Sequence, residues 1–168
     1  MQQQLLILNI AFLLVRLVGL GMAAHGAQKL FGWFGGHGVA GTGAFFEKLG
    51  FRPGSLFAFA AGAGELVGGL LIAVGLGGPI GPALVVLVMI VAALAVHVRN
   101  RYLQGTNGVE LNAMYIAHAL ALGYVGFGEL SLDHVFHVTT STTARSCALC
   151  TRRAAPRSRW SRARSKPR

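Results

Sequence analysis

Charge is what this chain has least of. Only 12% of its 168 residues are Asp, Glu, Lys or Arg, about half the share a soluble domain of this length carries. Its hydrophobic fraction is 54%, and the apolar residues come in long runs, which excludes a large aqueous domain and points to helical membrane segments. Cysteine is missing from the first 146 residues, Cys147 and Cys150 being the two present. Electron transfer inside the apolar part would therefore need a bound cofactor or a partner protein. Acidic residues are missing after Asp133, where nine of the fifteen Lys and Arg residues lie between Arg145 and Arg168. The remaining chain holds six basic and five acidic groups, so the net charge of +10 belongs to a tail and does not support a nucleic-acid partner. A basic n-region is also missing, since the chain starts Met1-Gln-Gln-Gln and Arg16 interrupts the apolar run. That start reads as a first span, not a cleaved signal peptide. No nucleophile elbow, P-loop, HExxH or dinucleotide fingerprint is present.

What is there is four apolar runs. They predict spans over residues 5–30, 55–75, 83–98 and 111–127, against the roughly 20 residues needed to cross hydrocarbon; the third is short and is expected to begin within the turn before it. The turn Gly77-Gly78-Pro79-Ile80-Gly81-Pro82 and the polar stretch 99–110 are short connections, which favour antiparallel neighbours. The expected fold is all-α: a transmembrane up-down four-helix bundle over residues 1–133, followed by a disordered Arg/Ser-rich basic tail over 134–168. Gly64 with Gly68, and Ala119 with Gly123, give small-xxx-small faces for close helix approach. Residues 31–54 are Gly-rich with several Phe and Trp33; within them 45–50 predicts a short interfacial helix ended by Gly50.

The informative residues are single ionisable groups inside these runs: Arg16, His25, Lys29, Glu65, His97 and His118. Such groups are costly in lipid and face a bundle interior with a partner or a task. In an up-down bundle His25, Lys29, Glu65, His97, Glu110 and His118 gather in one half of the bilayer, leaving Asn9 as the strong polar group of the other. Arg16, the deepest base, is expected to pair with Glu65, the deepest acid, either to set helix register or to floor a ligand or proton site. His25 and Lys29 share a helix face; the lysine alone suits a snorkelling position. Cys147-Ala-Leu-Cys150 and His134-Val-Phe-His137 have ligand-type spacing, but they lie in an Arg-rich segment without a second cysteine pair, and no metal site is assigned. Lys48, Arg52, Arg99 and Arg101 argue for cytoplasmic connections, while the basic tail argues for cytoplasmic termini.

His25-Gly-Ala-Gln-Lys-Leu-Phe-Gly32 after an Arg-bearing span resembles the DoxX family of small four-span membrane proteins. Further matching stretches are Phe46-Glu-Lys-Leu-Gly50, Gly64-Glu-Leu-Val-Gly-Gly69, His97 ending span three, Gly108-Val-Glu-Leu-Asn112 and Ser131-Leu-Asp133. The likeness covers about residues 5–133, with Gly126-Phe-Gly-Glu-Leu130 and Val109 departing from the common pattern. It implies a multi-pass protein of the cell membrane that is a subunit of a quinone-linked oxidoreductase or of a thiol and oxidative-stress complex. Arg16, His25, Lys29, Glu65, His97 and Glu110 fall on motif positions. On this reading Glu65 and His25 transfer protons, and Arg16, Lys29, His97 and Glu110 bind substrate. The cofactor is a quinone, and the partners are the bilayer, further copies or soluble redox enzymes. The alternative is a non-catalytic membrane scaffold that recruits such enzymes.

Overall fold

In a computed structural model, residues 2–137 are described, and every regular element among them is helical. Helices α1 (Gln2–Arg16) and α2 (Val18–Phe31) run on almost without interruption, forming one 30-residue apolar segment, Gln2–Phe31. A Gly-rich turn leads to α3 (Gly38–Lys48), then α4 (Gly54–Val74) and α5 (Ile80–Ala92). The α5 axis continues as a π-helical turn at Ala93–His97 and a short 3-10 turn at Val98–Asn100. Helix α6 (Glu110–Val125) and the single turn α7 (Leu132–Val135) complete the described chain.

Three segments are long and apolar enough to cross a membrane: Gln2–Phe31, Gly54–Val74 and Ile80–Asn100. Each lies within three residues of its expected position at every boundary. Helix α6 has 16 residues, about 24 Å of rise, and is shorter than those three. Helix α3 differs from expectation: the short helix foreseen at 45–50 begins at Gly38 instead. Three glycines weaken that stretch as an isolated helix, but Gly43 lies directly against the backbone of Gly54 and Ser55, and packing outweighs propensity. The tail expected from 134 starts later, since His134 and Val135 belong to α7; its remainder from 138 lies outside the described residues.

Glycine sets the register. A Cβ on Gly19 would lie 2.5 Å from the Gly69 carbonyl, and one on Gly26 would lie 2.6 Å from that of Gly62. Helices α2 and α4 therefore touch backbone to backbone, antiparallel. A Cβ on Gly68 would lie 3.1 Å from the Gly81 carbonyl, and one on Gly123 would lie 3.3 Å from Pro82, so α4 lies against α5 and α5 against α6 in the same alternating sense. The foreseen small-residue faces are thus used inside the molecule. A buried core of Met22, Ile72, Val85, Met89, Ala119, Leu122 and Phe127 fills the centre. At the end carrying the 32–53 connection, Phe31, Trp33 and Phe34 are exposed, as aromatics at a headgroup boundary are.

Candidate functional site

Two buried charge centres occupy different levels of this arrangement, and they are not the pair expected. Arg16 does not meet Glu65. The Gly19–Gly69 register puts Arg16 opposite Ile72, seven residues beyond Glu65, or about 10 Å along the axis. Side chains on a helix also lean toward its N-terminus, which carries the guanidinium further away. Instead Arg16 donates to three carbonyls: Nε to Ala73 O at 3.2 Å, and Nη1 to Leu130 O at 2.9 Å and Phe127 O at 3.3 Å.

The partner of Glu65 is Lys29, the one ion pair among the described residues. The same lean explains it: from α2, the long Lys29 stem reaches back toward the level of Glu65. The glutamate is buried at 1% exposure while the lysine side chain keeps 28%. Nζ of Lys29 contacts Oε1 of Glu65. The second oxygen, Oε2, is buried and has no hydrogen-bond partner among the described residues. A buried acceptor left open is uncommon and calls for an explanation.

Around this pair stand His25 and Tyr115. The His25 Nδ1 bonds the Gln28 side chain at 3.1 Å, and Gln28 in turn donates to the Phe34 carbonyl at 3.1 Å. The His25 ring lies edge-on to Tyr115, with centroids 6.4 Å apart, and Tyr115 is within electrostatic range of Glu65. Tyr115 was not singled out from the sequence. Its spacing from Asn112, Ala119 and Leu122, all buried, places it on the inner edge of α6, and that was the signal available.

The remaining candidates are not brought to the pair. His97 donates from Nδ1 to the Asn107 carbonyl at 2.9 Å, and Glu110 accepts from the Gln104 amide at 2.8 Å. Both close the 98–109 connection. His118 donates from Nε2 to the Val15 carbonyl at 2.8 Å, near the Arg16 level instead of with Lys29. Asn9, expected to stand alone, exchanges two hydrogen bonds with Glu129.

Arg16 belongs to a second set. Asp133 accepts from the amides of Gly77 at 2.9 Å and Gly78 at 2.7 Å, while its own amide donates to Gly75 O at 2.9 Å. Ser131 donates to Gly128 O at 2.6 Å and accepts from the His134 amide at 3.2 Å. Gly75 has φ +67°, and a Cβ there would be 2.7 Å from Ser131 and 3.0 Å from Arg16 Nη1. These residues lock the exit segment after α6 onto the turn between α4 and α5.

Long apolar helices packed through glycine, with ionisable groups turned inward, define an integral membrane protein. The DoxX family model matches residues 11–98, and the chain belongs to that family. No curated protein and no solved structure matches it.

Proposed function

We propose that this protein is a subunit of a quinone-linked oxidoreductase of the cell membrane, and that Lys29 and Glu65 form its proton-handling site. The observation that carries this reading is the buried Glu65 Oε2 with no partner beside a lysine that has further N–H groups to give. A quinone fits such a site, since a carbonyl oxygen matches the Lys29 ammonium and a hydroxyl matches the open carboxylate oxygen. The chemistry a quinone supplies is uptake of two electrons with two protons. Glu65 accepts a proton at Oε2, Lys29 orients and neutralises the carboxylate, and His25, exposed at the pair's outer edge, exchanges protons with water. Imidazole suits that task because its ordinary pKa lies near neutral pH. Arg16, His97 and Glu110 are assigned structural roles here, because their hydrogen bonds hold backbone.

The same proposal takes α6 as a fourth, short span, completing an up-down bundle with α2, α4 and α5, and places further copies or soluble redox enzymes around it. The test is mass spectrometry of detergent-purified protein for retained quinone, with Glu65→Gln alongside. Stoichiometric quinone in the wild type and its loss in a correctly inserted variant are expected. Equal quinone in both would remove Glu65 from the site.

The competing reading, a membrane scaffold for soluble enzymes, is favoured by one observation: Lys29–Glu65 also pins α2 to α4, a structural use sufficient by itself. Soluble enzymes that co-purify without quinone, and that survive Glu65→Gln, would select it.

A further inference from the structure

The four neighbouring helix seams are not alike. Helix α2 meets α4 through glycine backbone, and α4–α5 and α5–α6 are also closely packed. Between the first segment and α6 there are few close backbone approaches, and side chains bridge the gap. His118 reaches across to the Val15 carbonyl, at the point where α1 gives way to α2 around Leu17. Tyr115 reaches toward Gly21, its hydroxyl 3.2 Å from where a Cβ would stand, and that hydroxyl makes no hydrogen bond among the described residues. A small cleft lies in this same seam, lined by Val18, Met22, Ile72, Val85, Tyr115 and His118.

Helical spacing connects the cleft to the ion pair. Val18, Met22, His25 and Lys29 follow one another at i, i+4, i+7 and i+11, one face of one helix. Ile72 and Glu65 are seven residues apart on the facing helix and share a face likewise. An apolar floor therefore grades along one line into Tyr115, His25, Lys29 and the open oxygen of Glu65.

We infer that the seam between the first segment and α6 is a lateral opening through which a bilayer-dissolved molecule, with an apolar body and a hydrogen-bonding head, reaches Glu65. Its body lies along Val18, Met22 and Ile72, and its head donates to Glu65 Oε2. Tyr115 and His118 are the side chains that move aside, since single rotatable groups, not packed backbone, close this seam. The inference rests on the reading of Lys29–Glu65 as the ligand site and adds the route and the ligand class.

The probe is dicyclohexylcarbodiimide, which dissolves in lipid and converts a protonated carboxyl to a stable N-acylurea, with a water-soluble carbodiimide as its counterpart. The full chain in bilayer nanodiscs would be treated over a series of acidic pH values and the Glu65 peptide followed by mass spectrometry. Three forms are compared: wild type, Gly21→Leu and Lys29→Met. Gly21→Leu fills the seam before Tyr115 and replaces a poor helix former by a good one; Gly21→Ala is the milder version should leucine impair insertion. Labelling of Glu65 by the lipid-soluble reagent alone is expected, slowed about tenfold in Gly21→Leu as one overpacked side chain would impose, and quickened in Lys29→Met, which frees the carboxyl. An unchanged rate in both Gly21 variants would overturn the seam as the route while leaving the ion-pair site standing. No labelling in either wild type or Lys29→Met would overturn access from the bilayer altogether. Labelling as expected in a protein that retains no quinone would uphold the route and sink the quinone assignment.

Discussion

The two buried charge centres teach opposite lessons about why a membrane protein keeps an ionisable residue. At the Arg16 centre, the guanidinium meets three carbonyls and Asp133 meets two amides, and no charge faces another. These side chains replace the water that would otherwise satisfy a turn and an exit segment, as backbone at membrane depth requires. At the Lys29–Glu65 centre two charges face each other and one carboxylate oxygen is left open. Among the described residues the first centre has no buried side-chain atom without a partner, and in that sense it is saturated, so it holds structure. The second is unsaturated, so it has capacity for a proton or a ligand. Burial alone does not separate them, since Arg16 is 4% exposed and Glu65 1%; satisfaction does.

The largest expected effect breaks the saturated centre. Arg16→Met leaves the carbonyls of Ala73, Phe127 and Leu130 without their donor. Hydrogen bonds to charged groups contribute about 1.5–3 kcal/mol each in water and less inside membranes, so a loss of about 2–4 kcal/mol is expected. It should be read as a lower unfolding midpoint in detergent and as easier proteolysis after α6. A midpoint shift no larger than that of Glu65→Gln would erase the distinction between the centres. Asp133→Asn comes next, because one of the amides of Gly77 and Gly78 loses its acceptor. About 1 kcal/mol is expected, with the same proteolytic signature confined to the 75–78 turn and the exit segment.

The unsaturated centre should respond the other way, with function more sensitive than stability. Glu65→Gln keeps the shape and one carbonyl acceptor for Lys29, whose partly exposed ammonium can shift outward. A stability loss smaller than that of Arg16→Met is expected, because a neutral glutamine leaves no charge in the interior and only the partly exposed ammonium unpaired, together with loss of quinone retention. The double variant Lys29→Met with Glu65→Met should be no less stable than either single methionine variant, since replacing a buried pair by apolar groups is often neutral. A double variant that fails to fold would show that the pair is chiefly a helix fastener, favouring the scaffold reading.

Much of the fold was legible because lipid imposes a coarse rule: apolar runs of sufficient length become helices. The positions of Gln2–Phe31, Gly54–Val74 and Ile80–Asn100 followed from that rule. Which charge meets which did not, because pairing depends on register, and register depends on the Gly19–Gly69 and Gly26–Gly62 contacts. A glycine's partner is not written in its own neighbourhood. The same gap hid Tyr115, which is one of three tyrosines until α6 is laid across the first segment. It also made Lys29 look like a surface lysine: a residue at a helix end lies near water, and only the N-terminal lean of its stem turns it inward.

The smallest expected effect concerns residues that the sequence groups with the site and the structure does not. Glu110 accepts one amide in the 98–109 connection, and His97 donates to one carbonyl there. Both bonds lie at the exposed end of the molecule, where water can substitute, so Glu110→Gln and His97→Gln should each change stability by no more than about 0.5 kcal/mol. Quinone retention should be unaffected, and the only consistent change should be faster hydrogen exchange at Gln104 in the glutamate variant and in the Asn107 turn in the histidine variant. This pair of variants sharpens the comparison most, since the sequence alone groups both residues with Lys29 and Glu65. If either abolished quinone retention while the loop stayed protected, residue type and bundle end would predict function better than hydrogen-bond saturation does. The division between saturated and unsaturated centres would then have to be abandoned.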